Sequence, residues 1–441
     1  MNVRRPVLAC LLTLFLPAIQ ASDWGQFRGG SSGRIEQISH PMTWDSTKNV
    51  AWTVPMKGSG WSSPIVAGDR IFLTAAVPAD GSRPKGMMAG VASMGSYRRA
   101  KPVEHTFIVQ CLALNDGKLL WEKTVAKKTP AVVHPSNTYA TESPATDGQQ
   151  VYTFFATTGD LTAWDLDGKQ LWTKNTGAFK SGNGFGTGSS LAIHDSQVFV
   201  QYDNDESSFV AAYSAADGSQ IWKDEKRSKT SWSTPLIWKA GKTVQLVTCG
   251  SGVVTSYDAA SGKVVWRLSG IRSSFSASPC TGAGHIFFGN SGPMSAGPLV
   301  AVEANTVGQI SLDRSFQSPD VAWSKTRSGP GMASPVVSQG RLYIPGSGGI
   351  LNCYDASTGE RVYRTRVPGM ATVAASLWAD EKHVFILDES GTTHVIAAGP
   401  TFERVAANKV ADLFWSTPAV AGNRLLLRGV EKLYCIAGDA E

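Results

Sequence analysis

Cysteine is scarce in this sequence and never occurs in a pair motif. Six cysteines are present among 441 residues, with no Cys-x-x-Cys, no adjacent Cys-Cys and no Cys-x-x-Cys-His haem-attachment motif. Cys111, Cys353 and Cys435 occupy equivalent positions of the repeat described below, inside apolar segments. We therefore expect the cysteines to be small buried hydrophobic side chains. Five of them follow residue 21, so at least one is unpaired if the chain is exported.

Charged residues and clustered histidines are also in short supply. Asp, Glu, Lys and Arg make up 17% of the chain, and the formal net charge is +6. That charge falls to +4 if Arg4 and Arg5 are removed with an N-terminal leader. So small an excess does not favour a nucleic-acid partner or an anionic membrane surface. The seven histidines are dispersed without a His-Glu-x-x-His motif, which argues against a zinc site.

The N-terminal apolar stretch is short. It runs from Val7 to Ile19, after Arg4 and Arg5 and before the small residue Ala21. This order predicts a secretory signal peptide over residues 1–21 and a periplasmic or secreted protein. A membrane anchor is the alternative, but it needs about 20 apolar residues. The twin-arginine pair and a lipoprotein box at Cys10 are weaker alternatives, because little of either signal surrounds them.

A repeat dominates the rest of the chain. A Ser/Thr-Pro strand start recurs six times, and two further copies keep the serine but lose the proline. The copies are Ser63-Pro64, Ser143-Pro144, Ser190-Leu191, Thr234-Pro235, Ser278-Pro279, Ser334-Pro335, Ser376-Leu377 and Thr417-Pro418. Most intervals lie between 41 and 56 residues, and the first is 80. Such a period is typical of a β-propeller with one four-stranded sheet per repeat. The sequence thus predicts an all-β, eight-bladed propeller in a single domain over residues 22–441.

Within each copy, apolar and polar residues alternate and glycines mark the turns. In the second copy, Val151–Phe154 and Leu161–Asp165 predict strands, Gly168 a tight turn and Trp172 an outer strand. The glycine provides the positive φ that a short hairpin needs. The outer aromatic side chain is expected to bury a large apolar area between neighbouring blades. The expected blade-docking residues are Trp52, Trp121, Trp172, Trp222, Trp266 and Trp323.

The last copy lacks an outer strand. The segment from Asn49 to Val54 looks like an orphan outer strand that carries Trp52. We expect residues 49–55 to complete the last blade, because this pairing closes the ring and removes the exposed sheet edges.

The repeat core resembles the pyrroloquinoline quinone (PQQ) repeat. The resemblance is residue-specific at Ala163–Trp172, Ser256–Trp266 and Leu351–Tyr363, and it extends over nearly all of residues 24–437. The segments Trp24–Gly29 and Gly60–Pro64 look like those of secreted PQQ-like propeller proteins of environmental bacteria. This superfamily includes the eight-bladed quinoprotein alcohol dehydrogenases and the eight-bladed lipoprotein of the outer-membrane β-barrel assembly machinery. Because the repeat holds blades together in both branches, the resemblance implies the fold and leaves the function open.

The dehydrogenase branch implies a quinone on the axis, a Ca²⁺ ion and a carboxylate base. Its members typically carry an adjacent Cys-Cys pair, which this sequence does not have. The best acidic cluster is Asp203–Glu206, and such loops are more often solvated turns than Ca²⁺ sites. The glycine-rich segment 182–188 is followed by no P-loop lysine, which favours a flexible turn over a phosphate site. We therefore predict no catalytic residue, no metal and no cofactor, with PQQ and calcium as the alternative.

Two segments are longer than a propeller needs, and loops above a rigid scaffold are where binding residues concentrate. They are residues 78–104 and 126–142. The first has a disordered insertion as its alternative interpretation. The expected exposed ligand or partner surface consists of Arg98, Arg99, His134, Asn137 and Tyr139, with Asp203 and Glu206 added from blade 3. Trp61, Trp232 and Trp415 recur just before strand starts, which favours a structural ring over a ligand floor.

Together these features favour an exported, non-catalytic scaffold that binds a protein or peptide. We expect a monomer that associates with a membrane only through its partner and does not bind nucleic acid. The alternative is a PQQ-dependent dehydrogenase, or another enzyme with its site in the axial funnel.

Overall fold

The computed structural model describes residues 24–36, 39–93, 100–292 and 296–438. The predicted leader, together with Arg98 and Arg99, lies outside the described residues. Within them the strands form eight sheets, and the first strands of neighbouring sheets contact each other around a ring. The prediction of an all-β, eight-bladed propeller is confirmed.

In blades 1 to 4 the chain runs from the innermost strand outward, and each strand pairs antiparallel with the next. The strands are Ile65–Ala67, Arg70–Pro78, His105–Ala113 and Leu119–Lys128 in blade 1; Ala145–Thr146, Gln150–Phe155, Asp160–Asp165 and Gln170–Asn175 in blade 2; Ala192–His194, Gln197–Tyr202, Ser208–Ser214 and Gln220–Lys226 in blade 3; and Leu236–Ala240, Thr243–Gly250, Val253–Asp258 and Val264–Ser269 in blade 4.

Blades 5 to 7 keep the same order, and blade 8 takes its outer strand from the N-terminal part of the chain. The strands are Cys280–Gly282, His285–Ser291, Ala296–Glu303 and Trp323–Lys325 in blade 5; Val336–Ser338, Arg341–Gly346, Ile350–Asp355 and Arg361–Arg366 in blade 6; Trp378–Ala379, His383–Leu387, Thr392–Ala397 and Arg404–Lys409 in blade 7; and Ala419–Ala421, Arg424–Arg428, Lys432–Ile436 and Val50–Pro55 in blade 8.

Helix is rare among the described residues. The α-helix α1 covers Met87–Ala92, and short 3₁₀ turns cover Phe27–Gly30 and Gly182–Gly184. One strand departs from the predicted repeat: Gly308–Ser311 leaves blade 5 and pairs in parallel with Val264–Ser269 of blade 4. Blade 4 therefore has five strands, and the segment Gly308–Ser311 covers the edge of its fourth strand.

The ring closes as the sequence predicts. Val50–Pro55 pairs antiparallel with Lys432–Ile436, and Trp52 lies opposite Cys435. Because this outer strand and its partner come from opposite ends of the chain, the last sheet is complete only when both are in place.

The recurring Ser/Thr residues form a belt of hydrogen bonds that joins the blades, which we call the hydroxyl belt. At each of seven junctions the backbone N–H of one member donates to the side-chain hydroxyl of the next. The pairs are Ser63–Ser143 (2.8 Å), Ser143–Ser190 (2.9 Å), Ser190–Thr234 (2.9 Å), Thr234–Ser278 (2.9 Å), Ser278–Ser334 (2.9 Å), Ser334–Ser376 (3.2 Å) and Ser376–Thr417 (2.9 Å). The innermost edge would otherwise hold unpaired backbone N–H groups.

The junction between blades 8 and 1 is held by an arginine. Arg428 is buried and donates to the backbone oxygens of Ser62 (2.9 Å) and Thr74 (2.8 Å), and also to the Ser62 hydroxyl. Ser416 adds a hydroxyl hydrogen bond of 3.0 Å to the Ser62 carbonyl. The Arg428 side chain of blade 8 therefore reaches across the closing junction to the segment before the first strand of blade 1 and to its second strand.

The outer tryptophans lie between neighbouring blades. Five of them donate their indole N–H to a backbone carbonyl of the next blade: Trp52 to Leu114 (3.1 Å), Trp121 to Leu166 (2.8 Å), Trp172 to Ala215 (2.9 Å), Trp222 to Ala259 (3.0 Å) and Trp323 to Ala356 (3.1 Å). Trp266 instead donates to Gln245 Oε1 of its own blade (3.1 Å). Here blade 5 leaves the repeat, and Gly308–Ser311 covers the outer strand that carries Trp266.

Residues 24–35 cross the ring along the innermost strands, and we call this segment the axial plug. It bonds to the free edges of innermost strands: Trp24 with Val66 (3.0 Å), Gly25 with Thr146 (2.7 Å), Gln26 with Ile193 (2.9 Å), and Gly33 and Ile35 with Ala379 (2.9 Å each). Blades 1, 2, 3 and 7 are thus tied together. These bonds satisfy backbone groups that no further strand covers.

Candidate binding site on the loop face

The insertion between the second and third strands of blade 1 lies on the face of the ring from which the innermost strands start. It spans residues 79–104 and contains α1. Its N-terminal half is tied to three other parts of the ring: Arg83 Nη1 donates to the Gly58 carbonyl (2.9 Å), the Lys85 N–H to the Pro135 carbonyl (2.8 Å), and the Met87 N–H to Glu389 Oε1 of blade 7 (2.8 Å). The described part of the insertion therefore crosses from blade 1 to blade 7.

Two glycines permit this close approach. A methyl group at Gly86 would lie 2.0 Å from Glu389 Oε1, and one at Gly90 would lie 2.1 Å from Ser136 Oγ. A Cβ atom at either position would displace the side chain of Glu389 or Ser136 from its present place. Helix α1 is consequently held at a defined distance from blade 7 on one side and from the loop between blades 1 and 2 on the other.

That second loop is shorter than predicted, because residues 126–128 belong to the outer strand of blade 1. It packs on Trp61, whose indole N–H donates to the Ser136 carbonyl (2.6 Å) and whose backbone N–H donates to Thr138 Oγ1 (3.1 Å). Tyr139 adopts a left-handed φ of +61°, and its hydroxyl accepts a hydrogen bond from the Val133 N–H (3.2 Å). Non-glycine residues in this region are strained, and such strain concentrates at binding sites.

The two loops enclose a pocket of about 410 Å³. Among the described residues, three cationic side chains line it, from Arg83, Lys85 and Lys101, against the single carboxylate of Asp80. Val103, His105, Val132, Val133 and Tyr139 form an apolar and aromatic part of the wall, and Ser59, Ser82, Asn137 and Thr138 add polar groups. The rings of His105 and Tyr139 lie 4.4 Å apart, and burial lowers the pKa of His105, so that the ring is neutral near pH 7. The pocket therefore combines an apolar wall with a cationic rim.

Beside this pocket, α1 presents an apolar face to solvent. Met88 is 74% exposed and Val91 is 49% exposed, three residues apart on the same side of the helix. Together with Lys85 and Lys101 of the rim, these residues form a surface that we call the loop-face patch.

The structure places three of the predicted site residues at this pocket. Tyr139 contributes its ring to the wall, whereas His134 is buried, not exposed as predicted. Asn137 donates to the carbonyls of Phe185 (3.0 Å) and Thr187 (3.3 Å) and accepts from the Tyr139 N–H (2.7 Å). Asn137 is thus engaged in holding the loop against the next blade, which only tertiary contacts reveal.

Asp203 and Glu206 lie apart from the pocket, and the prediction that Asp203 is exposed is wrong. Its side chain is 0% exposed and forms an ion pair of 2.6 Å with Lys226, while Gln201 donates to its other oxygen at 2.6 Å. Glu206 accepts a hydrogen bond from the Lys180 N–H (3.1 Å). Lys226 of the outer strand neutralises the Asp203 carboxylate, because a buried charge needs a partner, whereas Glu206 is exposed as predicted.

The tryptophans that precede strand starts pack the loops. Trp61 and Trp415 stack with ring centroids 5.5 Å apart and an interplanar angle of 22°. Trp232 donates its indole N–H to the Gly186 carbonyl (2.8 Å). The stacked pair joins blades 8 and 1, next to the junction that Arg428 holds.

Sequence reasoning missed Glu142, a buried carboxyl beside the hydroxyl belt. Neither of its oxygens has a hydrogen-bond partner of ordinary geometry among the described residues. Burial raises the pKa of Glu142 to about 7, and the nearby Thr187 hydroxyl offsets only part of that rise. A signal was available: the equivalent position before each strand start holds only serine or alanine, namely Ser62, Ser189, Ser233, Ala277, Ala333, Ala375 and Ser416.

The family model described as outer membrane protein assembly factor BamB matches residues 105–273 and, in an overlapping second match, 250–432. The chain belongs to this PQQ-repeat family. No curated protein sequence is significantly similar to it. Family membership agrees with the resemblance seen in the sequence and with the eight repeated sheets.

Solved structures from both branches share the fold of this PQQ-repeat protein. BamB from Moraxella catarrhalis is 12% identical with a TM-score of 0.58, covering 88% of this chain and 97% of that one. A europium-containing methanol dehydrogenase is 11% identical with a TM-score of 0.62, covering 93% and 90%. Quinohemoprotein alcohol dehydrogenase from Comamonas testosteroni is 12% identical with a TM-score of 0.61, covering 96% and 82%. At such identities the likeness shows the fold alone.

The acidic loop of this PQQ-repeat protein does not fit the calcium ion that a quinone site would need. Ca²⁺ takes six to eight oxygen ligands, several from free carboxylates. Asp203 is neutralised by Lys226, and Asp205 accepts hydrogen bonds from the backbone and hydroxyl of Thr230 (3.1 and 2.9 Å). Among the described residues, no three His, Cys, Asp or Glu side chains cluster as metal ligands would.

The cysteines and helices of the described residues add two observations. Cys111, Cys249, Cys280, Cys353 and Cys435 are all buried and unbridged. Burial raises the pKa of Cys111 and Cys280 to about 12, which keeps both as thiols at neutral pH.

None of the helices in the described part of the chain has the length and apolar character needed to span a membrane.

Proposed function

We propose that the protein is an exported binding scaffold whose loop-face patch docks a segment of a protein partner. The observation that carries this proposal is the meeting of the two long loops in one pocket, with exposed Met88 and Val91 beside it. Large apolar side chains left in solvent on an ordered helix are typical of interaction sites. The name of the matching family, an assembly factor, supports a scaffold role.

The charge of the patch indicates the chemistry of the partner. Arg83, Lys85 and Lys101 surround the pocket, and Asp80 is the one carboxylate that lines it in the part of the chain that the structure describes. The Arg83 side chain already lies 3.8 Å from Glu431, which leaves Lys101 as the more available cation. Complementary charge steers association and selects partners. We infer an acidic segment that carries an apolar or aromatic side chain for the pocket.

The pocket is held open in advance by the contacts that anchor α1. The Met87 N–H bond to Glu389 and the Lys85 N–H bond to Pro135 hold α1 over the loop between blades 1 and 2. A surface ordered before binding loses less conformational entropy when a partner docks. The proposed partner therefore meets a rigid rim rather than a loop that must first fold.

Site-specific photocrosslinking tests this proposal. A benzophenone amino acid replaces Met88 in one variant and Val307 in the other, and each variant is irradiated in the cells that naturally contain the protein. Val307 is the matched control because it is 73% exposed, close to the 74% of Met88, and lies outside the loop-face patch. We expect one partner to crosslink from position 88 and not from position 307. Equal labelling from both positions, or none, would refute the docking surface.

Charge reversal then tests the chemistry of the partner. Lys101→Glu should reduce the crosslink from position 88 at low salt, because it replaces an attractive rim charge with a repulsive one. Exposed Lys263 of blade 4 is the control site, and Lys263→Glu should leave the crosslink unchanged. A crosslink that is insensitive to Lys101→Glu would show that the partner is not acidic, even if docking itself is confirmed.

A further inference from the structure

A small cavity lies between the axial plug and the innermost strands of blades 3 to 5. Its volume is about 20 Å³, which is room for one water-sized occupant. Arg28 and Ser32 of the plug line it, together with Thr234 and Ser278 of the hydroxyl belt. The cavity is therefore built by the two systems that tie the ring together.

Arg28 is a buried cation without a carboxylate partner in the described part of the chain. It is 2% exposed, and its guanidinium donates to the Pro279 carbonyl (3.4 Å) and to the carbonyls of Ser32 and Pro335. Burial lowers the pKa of Arg28 to about 10, so it remains charged at neutral pH. The neighbouring Cys280 is an uncharged thiol, as described above. Burying an uncompensated charge is costly, and a bound counter-ion removes much of that cost.

Two donor groups at the cavity have no partner. Arg28 Nε and Ser32 Oγ are both buried and make no hydrogen bond within the described residues. Buried polar atoms in native proteins are nearly always hydrogen-bonded to protein, water or an ion. We therefore expect the cavity to hold a species that accepts hydrogen bonds from these two atoms.

The hydroxyl belt adds further donors. Thr234 Oγ1 accepts the Ser190 N–H, and Ser278 Oγ accepts the Thr234 N–H, each at 2.9 Å. A hydroxyl that accepts a hydrogen bond still has its own proton to donate. The side chains of Arg28, Ser32, Thr234 and Ser278 thus supply the cavity with donors and one positive charge, which is the environment of an anion.

We propose that this cavity binds one small monovalent anion of chloride size, and that the anion locks the axial plug to blades 3 to 5. A volume of about 20 Å³ favours a monatomic ion over larger anions such as sulfate or a carboxylate. Bound there, the ion accepts from Arg28 and from the Ser32 hydroxyl, and it neutralises the buried guanidinium. This site stands independently of the proposed partner surface, because the cavity and the loop-face pocket share no lining residue.

Bromide tests the site directly, because it replaces chloride and scatters X-rays anomalously. Crystals of the mature chain grown or soaked in sodium bromide should show an anomalous peak in the cavity, within bonding distance of Arg28 and Ser32. A cavity that holds only water at high bromide concentration would overturn the proposal.

Thermal unfolding provides a second readout in solution. A ligand that binds only the folded state stabilises it in proportion to the logarithm of its concentration above Kd. We expect Tm to rise by roughly 1–3 °C per tenfold increase in chloride, compared with gluconate at the same ionic strength. Identical Tm values in the two salts would contradict the site.

Neighbouring serines supply a matched pair of variants. Ser32→Ala removes a buried hydroxyl from the cavity, whereas Ser31→Ala removes an exposed hydroxyl of the same plug that bonds to the Arg34 carbonyl. The chloride-specific rise in Tm should shrink in Ser32→Ala and persist in Ser31→Ala. Arg28→Gln should abolish it; if that variant does not fold, the serine pair and the bromide peak still decide. Equal chloride dependence in both serine variants would place the effect elsewhere.

Discussion

Gly218 packs against the indole ring of Trp172. Gly218 lies in a turn of blade 3, whereas Trp172 lies in the outer strand of blade 2. A methyl group on Gly218 would lie 2.6 Å from Cε3 of that ring. The same glycine has a φ of +68° in the turn before the outer strand of blade 3. The turn glycine therefore serves two purposes at once: it makes the hairpin possible, and it leaves space for the tryptophan of the preceding blade.

The two roles of this glycine can be separated by substitution. Gly218→Ala should destabilise the fold by about 2–4 kcal/mol, from left-handed backbone strain and from the clash with Trp172. Gly241→Ala is the matched control, because Gly241 has a φ of +60° and nothing within 4 Å of the added methyl group. It should cost only about 1 kcal/mol. Chemical denaturation measures both; equal losses would show that blade docking does not depend on this contact.

Glu142 should make stability depend on pH. Its folded-state pKa is about 7 against an ordinary value of 4.5, so the unfolded chain loses this proton first as pH rises. The associated stability is fully present below about pH 4.5, declines as pH rises to about 7 and stays lost above it, a total of about 3 kcal/mol. Glu142→Gln should therefore be more stable than the parent at pH 8 and no more stable at pH 4.

Exposed Glu360 provides the control for that measurement. Glu360→Gln should leave the pH dependence of unfolding unchanged. Free energies of unfolding at pH 4, 6 and 8 distinguish the cases. A Glu142→Gln variant that follows the parent at every pH would mean that the carboxyl is solvated or paired.

Removal of residues 22–56 should destabilise the whole ring. The deletion removes the axial plug and the strand Val50–Pro55, and so exposes the inner edges of several blades and the outer edge of blade 8. We expect loss of the cooperative thermal transition that the chain of residues 22–441 shows, as followed by far-UV circular dichroism. Deletion of residues 24–35 alone keeps the closing strand and should lower Tm by less. A chain without residues 22–56 that melts like the chain of residues 22–441 would contradict both closure roles.

Addition of PQQ and Ca²⁺ to the purified chain should produce neither an absorbance change from a bound quinone nor alcohol-dependent dye reduction. The expectation follows from the acidic loop, where Asp203 and Asp205 are already bonded to Lys226 and Thr230. Titration followed by an alcohol-dependent dye-reduction assay measures both. Stoichiometric binding with turnover would instead establish the dehydrogenase alternative.

Local pattern and repetition made most of the fold predictable. Alternating residues, turn glycines such as Gly168 and the period of the Ser/Thr starts are local features, and eight similar units have one simple way to bury their faces. The orphan strand with Trp52 was equally recognisable, because it carries the pattern that the last copy lacks. The candidate site was harder, because a loop in the sequence shows neither where it folds nor what it touches.

Taken alone, the sequence determined that this chain is an eight-bladed propeller of the PQQ-repeat family and that its two long loops are the places to look for binding. Tertiary structure decided the rest. It joined those loops in one pocket, buried Asp203 against Lys226, and placed Arg28 in an axial cavity. The physical reason is sequence separation: Arg28 and Pro335 lie 307 residues apart, and Arg428 and Ser62 lie 366 apart. A local pattern encodes a strand and its turn, whereas contacts over such distances exist only once the ring has closed.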